Sequence, residues 1–349
     1  IGRLNNYFIL TVPAEADPKD WIDRLSALDD VEIALFVPLP LRPPVPGSYQ
    51  SRQGYLNAAA DGINANYAWS VGDSGQNVTV CDFEYSWNLS HQDLPSGITT
   101  LVPPAWVQVD PFADSNHGTA ALGEMASLNN GWGTTGAAYG ANFVVAPTNF
   151  ATYGWQIGTV MMYAMTQLNP GDVFLVEQQL GGPRYKYIIG NDTGLVPIEW
   201  YRPWYDVVVA AVGNGFHVVE AAGNGYQDLD SAVYSTGNGG HWPFLPQNNS
   251  GAVIVGAGAV PLSFFGTDTA RSRLDFSNYG SRLDLQGWGE FVVTTGYGRL
   301  HISEGVNLYY DSAFAGTSSA SPIVAAAVAL VESRYETVYG GTIAPVTMR

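Results

Sequence analysis

At 349 residues and 46% hydrophobic content, the chain is long enough to bury one large core and still carry a small appended unit. Its formal net charge of −17, with only two lysines (Lys19 and Lys186), argues against nucleic acid or an anionic membrane as partner. The single cysteine, Cys81, excludes an internal disulfide framework, and no unbroken apolar run is long enough to span a bilayer.

Residues 1–46 read as a separate unit. Tyr7–Val12 is a β-branched and aromatic run that predicts a strand. Asp17 or Pro18 opens a helix with Trp21, Ile22, Leu25 and Leu28 on one face, and Val31–Val37 predicts a second strand. Five prolines between Pro38 and Pro46 predict an extended linker. The chain starts at Ile1 and ends at Arg349, and is expected to be a trimmed piece of a longer precursor.

From residue 47 a larger α/β pattern runs to the end. Strands are expected at 78–81, 142–146, 172–177, 217–222 and 252–257, with helices at 117–128, 158–168 and 206–214. This alternation predicts an α/β fold: a mostly parallel central sheet with helices on both faces, whose functional residues collect at the C-terminal ends of strands. Asp82, Gly181-Gly182 and Asn224 are expected at such ends. The stretch from Phe314 to Pro322 is a small-residue turn running into an apolar helix, with Pro322 expected in its first turn. Ser318 then stands at a helix N-terminus, where free backbone N–H groups can hold a developing oxyanion. Alone, this turn is equally well a Ser/Thr cap on a buried helix. Likewise Asp82 alone is as well a helix cap, and His117 a surface residue.

Taken in order, Val78–Asp82 with Ser90–Leu94, His117-Gly118-Thr119, Leu180–Pro183, Ala221–Gly225, Phe276–Gly280 and Gly316–Pro322 resemble the motifs of the subtilisin-like serine proteases over about residues 60 to 335. The resemblance implies a secreted endopeptidase in which Ser318 attacks a peptide carbonyl, His117 is the base, Asp82 orients the imidazole and the Asn224 amide holds the oxyanion. It implies an extended peptide lying beside Leu180, Gly181 and Gly182, and near Gly154. It also implies a structural Ca²⁺ held by Asp93, the Asn130 side chain and the carbonyls of Leu128, Trp132 and Thr134, with Gln50 or Gln53 adding an oxygen. Residues 1–46 resemble the later part of the family's propeptide, a possible intramolecular inhibitor in a zymogen.

Three glutamates depart from the family pattern: Glu84, Glu177 and Glu220. They are expected to form a row of carboxylates beside the site, with at least one pKa raised. An insertion over about residues 184–204 is expected to loop near the substrate groove, and Asp228 and Asp230 to reach the specificity pocket. Rival readings are a latent subtilase-like extracellular binding protein, closed by its own N-terminal segment, and an esterase.

Overall fold

The computed structural model describes residues 7–13, 15–37 and 46–349. The chain divides into two units, residues 1–44 and 45–349. In the first, helix α1 (Pro18–Ser26) forms where expected, with the Asp17 side chain capping it by accepting from the Lys19 N–H at 2.9 Å. Neither predicted strand forms among its described residues; Tyr7, Phe8 and Ile9 are exposed rather than paired. The β-branched composition is there, but a strand needs a hydrogen-bonded neighbour and none is present among the described residues. The prolines from 38 to 45 lie outside the described residues.

The second unit is built on one seven-stranded sheet. Its elements in chain order are α2 (Ala65–Ser70), β1 (Thr79–Glu84), β2 (Thr99–Thr100), α3 (Asn116–Ala126), β3 (Asn142–Pro147), β4 (Asn149–Phe150), β5 (Gly154–Trp155), α4 (Ile157–Met165), β6 (Val173–Val176), β7 (Gln179–Lys186), β8 (Thr193–Pro197), α5 (Arg202–Gly213), β9 (His217–Ala221), β10 (Val253–Gly258), β11 (Leu285–Trp288), β12 (Val292–Thr295), β13 (Tyr310–Phe314), α6 (Thr317–Tyr339) and α7 (Pro345–Met348). The sheet order is β11-β10-β9-β6-β1-β3-β2, and every pairing in it is parallel.

Both faces of this sheet are buried, as its near-continuous apolar strands require. Alternation sorts the side chains. Val80, Val145, Val173, Leu175 and Val219 pack under α3 and α6. Cys81, Phe83, Val144, Phe174, Val176 and Val218 pack on the other side against α4 and α5. The predicted α/β architecture is met, with helices on both faces. Three two-stranded hairpins, β4–β5, β7–β8 and β12–β13, ornament it.

Two local expectations change. The segment after Gly182 is not an open loop, because β7 runs on to Lys186 and pairs antiparallel with β8, Leu180 opposite Val196 and Lys186 opposite Thr193. Helix α6 begins at Thr317, so Pro322 lies in its second turn rather than its first. There it removes the N–H that would bond to the Ser318 carbonyl. The Ser321 hydroxyl donates to the Thr317 carbonyl at 2.8 Å beside this gap.

Candidate active site

The C-terminal ends of β1, β6 and β9 meet the N-termini of α3 and α6 around a cleft of about 680 Å³. Glu84, His117, Glu177, Asn224 and Ser318 all line it. Sequence-predicted Asp82 does not. Strand β1 runs three residues further than expected, through the bulky Phe83, so the carboxylate at its end is Glu84. Asp82 points to the same face one step deeper, fully buried. The Glu84 carboxylate accepts from His117 Nδ1 at 2.6 Å and from the Tyr85 N–H at 2.8 Å. Asp82 instead accepts from the Trp87 indole N–H at 2.7 Å, and its second oxygen has no partner among the described residues. The place expected for Asp82 against His117 is therefore held by Glu84. The sequence signal was Phe83, an apolar residue that continues the strand past Asp82.

Gly118 explains how α3 comes so close. A Cβ there would meet the Glu84 Cγ at 2.8 Å, the Trp87 ring at 2.9 Å and the Ser86 carbonyl. Since one of those neighbours is backbone, the helix start itself must yield. Gly118→Ala is expected to displace His117 from Glu84 and lower kcat by about 10²-fold with the fold retained. Wild-type kcat in that variant would refute the packing argument.

The imidazole environment is unusual. Burial lowers its pKa, but the Glu84 carboxylate beside it, then Glu177 and Asp82, outweigh this and bring it up to about 9. Burial, then repulsion from Glu84, pushes Asp82 up to about 8. Burial also carries Glu177 well above the ordinary carboxylate range, against the Ser321 hydroxyl that donates to it. Glu124, on α3, is held far up by burial and by Glu177, and neither of its oxygens has a partner among the described residues.

The expected row of three glutamates is therefore only partly formed. Glu84 and Glu177 share the cleft, but Glu220 does not belong to it. Glu220 pairs in register with Val176, and parallel neighbours in register point to the same face. Val176 faces α4 and α5, so Glu220 does too. There it accepts from the Glu199 N–H at 3.4 Å, and Glu199 sits against the fully buried Arg282.

At the nucleophile turn, Gly316 has φ +110°, which a side chain would oppose. Ser318 is the second residue of α6, with its surface mostly buried. Asn224 follows β9 and is held from three sides. Its N–H donates to the Gln179 side-chain oxygen at 2.7 Å, and its own Oδ1 accepts from the Thr317 N–H at 2.9 Å and hydroxyl at 3.1 Å. A backbone N–H can only donate, so Oδ1 must be the atom facing Thr317, and Nδ2 faces the other way. A Cβ on Gly316 would lie 3.2 Å from that Nδ2 and 3.6 Å from the Ser318 N–H nitrogen, so both donors border the same small space. The buried Asn278 clamps this loop, donating from its side chain to the Ala222 carbonyl at 2.7 Å and accepting from the Gln227 N–H at 2.9 Å. Gln179, Thr317 and Trp87 are supporting residues that sequence reasoning missed; only Thr317, beside the serine, carried any signal.

The substrate-side expectations are met less well. Gln179 lines the cleft, whereas Leu180, Gly181 and Gly182 do not. One edge of β7 is taken by β8, and the other is unpaired among the described residues. Gly154 stands in the β4–β5 hairpin, outside the cleft lining. Asp228 and Asp230 are spent on loop geometry: Asp230 accepts from the Ser281 N–H and hydroxyl, Asp228 from the Asp230 N–H, and neither lines the cleft.

Of the expected calcium ligands, Asp93, Asn130 and Thr134 come together, the last two presenting N–H and hydroxyl donors to the Asp93 carboxylate. Asp93 is fully buried with no cationic partner among the described residues. It accepts from the Asn130 amide at 2.9 Å and the Thr134 N–H at 2.9 Å, and burial brings its pKa up to about 7. Gln53 turns to the Thr135 backbone and Gln50 is not drawn in. A buried carboxylate without a counter-charge suits a hard cation, but the groups now against it are N–H and hydroxyl donors; no cluster of three or more carboxylate, His or Cys ligands occurs among the described residues.

The model of the Subtilase family matches residues 70–349. Subtilisin NAT of Bacillus subtilis subsp. natto and Subtilisin E of Bacillus subtilis (strain 168) are each 29% identical over 281 residues, 79% of this chain. The match spans 60% of the length of either relative. A subtilisin of Bacillus pumilus is 29% identical, with 84% of its length covered. Among solved structures, a serine protease of Aeromonas sobria has a TM-score of 0.57 at 23% identity, over 84% of this chain and 56% of that one. A protease of Pseudoalteromonas arctica PAMC 21717 has a TM-score of 0.55 at 20% identity, over 87% and 90%. At those identities the structural likeness speaks for the fold alone. The family match over most of the chain, with the ordered site just described, means that this chain belongs to the subtilase family.

Proposed function

We propose that the chain is a serine endopeptidase working through Ser318, His117 and Glu84. The observation that carries this is the Glu84–His117 pair at 2.6 Å in one cleft with a serine at a helix N-terminus. Glu84 holds Nδ1 protonated and leaves Nε2 as the base. Ser318 Oγ attacks the substrate carbonyl carbon as its proton passes to Nε2, and the carbonyl oxygen becomes an oxyanion. The Ser318 N–H and Asn224 Nδ2 stabilise that charge, the amide alone contributing about 10²–10³ in rate. His117 returns the proton to the leaving amine, giving an acyl-enzyme, and water activated by the same histidine releases the acid. An extended substrate adds along the unpaired edge of β7. A fluorophosphonate should label the wild-type chain at Ser318 and fail on Ser318→Ala. A wild-type chain that never labels, even after limited proteolysis within residues 1–50, sinks the reading in favour of a silent binding protein. Cleavage of esters without peptides would favour an esterase.

Secretion and a retained inhibitory N-terminal segment belong to the same proposal; the acidic, lysine-poor composition supports the first. Calcium at the Asp93 loop belongs to it too. The ion would be held by Asp93, Asn130 and the carbonyls of Leu128, Trp132 and Thr134, pinning the segment after α3, with no part in the chemistry. Adding a chelator should lower Tm by several degrees, about 2–4 °C for each kcal/mol lost, and excess Ca²⁺ should restore it. An unchanged Tm would remove calcium from the proposal.

A further inference from the structure

The cleft walls carry more charge than the reaction uses. Asp114 and Asp192 line it, on the loop before α3 and at the end of the β7–β8 turn, and neither pairs with a cation among the described residues. Glu177 lies in the lining as well, buried, with one oxygen held by Ser321 and the other without a partner. The two cations in the lining are already matched: His117 by Glu84, and Arg299 by both oxygens of Asp311 while leaning over Tyr297 at 5.1 Å. Aromatic rings share the lining with these carboxylates: Tyr85 and Phe112 meet edge to face at 5.0 Å, and Tyr297 lies against Phe314. A low-dielectric cleft lined by one sign of charge focuses its field on whatever enters. Aromatic rings beside the carboxylates favour the aliphatic stem and charged head of a basic side chain.

We propose that this cleft selects polypeptides carrying a Lys or Arg side chain next to the bond attacked by Ser318. The inference rests on the protease reading above and adds its substrate class. Asp192 and Asp114 supply the charge that the basic head meets. Glu177 supplies a buried acceptor behind them, and Tyr85, Phe112 and Tyr297 pack on the stem. Asp192 is placed for this by the same hairpin that lengthens β7: its carboxylate accepts from the Ile188 N–H at 2.8 Å and the Tyr185 hydroxyl at 3.1 Å, which fixes its direction while leaving its charge uncompensated.

The test uses matched fluorogenic peptides on the full chain, each cationic residue set against a neutral isostere: lysine against norleucine, arginine against citrulline, at each position flanking the cleaved bond. At one or more positions the kcat/KM ratio of cationic to neutral peptide should be about tenfold or more, and should shrink with added salt as exposed charges are screened. Combined Asp192→Asn and Asp114→Asn should narrow that ratio to within about threefold. Because each ratio is taken within one variant, general loss of activity cancels. A wild-type ratio near one at every position, or variants that leave a high ratio untouched, overturns the inference while fluorophosphonate labelling keeps the protease reading intact. Absence of labelling removes both.

Discussion

The folded chain should be most stable in acid, near pH 4 to 5, and lose stability steadily as the pH rises to 8. Asp82, Glu124, Glu177, Glu220 and Glu332 all hold their protons more tightly when folded, burial being the largest cause in each; Asp82 is carried from 3.8 to about 8 and Glu332 from 4.5 to about 7. A carboxyl whose folded pKa is raised contributes stability that is fully present below its ordinary value and is lost as the pH climbs through the folded one. For Asp82 alone the span corresponds to roughly 6 kcal/mol. The opposite sign comes from His91 and His217, lowered by burial from 6.5 to about 4, whose contribution is gained between those values, and from His241, which burial also lowers. Five carboxyls against three imidazoles leave a net loss across that window too. Above pH 6.5 the raised His117 adds to the decline. Measured on Ser318→Ala to prevent self-digestion, at one scan rate, Tm should fall by roughly 10 °C or more from pH 5 to pH 8. Glu124→Gln or Glu177→Gln should flatten that slope. A Tm that is level or rises over the same interval contradicts the assignment of these carboxyls as neutral in the fold.

Glu84→Gln should lower kcat by about 10³–10⁴-fold with little change in KM, whereas Asp82→Asn should cost far less. The amide introduced by Glu84→Gln can still bond to His117, but without a carboxylate it neither imposes the productive tautomer nor stabilises the imidazolium, and loss of that role is worth about 10⁴ in kcat. Asp82 already behaves as a neutral acid below about pH 8, so an asparagine of the same shape changes little charge there. A reversed order, with Asp82→Asn the crippled variant, would falsify the assignment of Glu84. The two variants also differ in pH profile. Removing either nearby carboxyl lowers the pKa of His117, which burial pulls down once its partners are gone, so the rising limb of kcat/KM should move below about 9, furthest in Glu84→Gln.

Much of this protein was legible in its sequence, and the legible parts are local. Strands and helices alternate with apolar runs long enough to mark a doubly covered sheet. Gly316 before a serine before an apolar run spells a helix start, and Ala221–Gly225 spells a strand ending in a turn. Such patterns need only neighbours within a few residues, so they survive without knowledge of the fold. What only the tertiary structure decided turns on strand length and register. Whether Asp82 or Glu84 meets His117 depends on where β1 ends, and both carboxylates share its face. Glu220 leaves the cleft because its register partner, Val176, faces the other side of the sheet. The two predicted strands of the N-terminal unit fail among the described residues because pairing is not a property of one segment. A side chain's face flips with each residue along a strand, and a partner strand comes from far along the chain. Both are set by the assembled sheet, which is why the chemistry-bearing types could be named in advance while the carboxylate that serves the histidine could not.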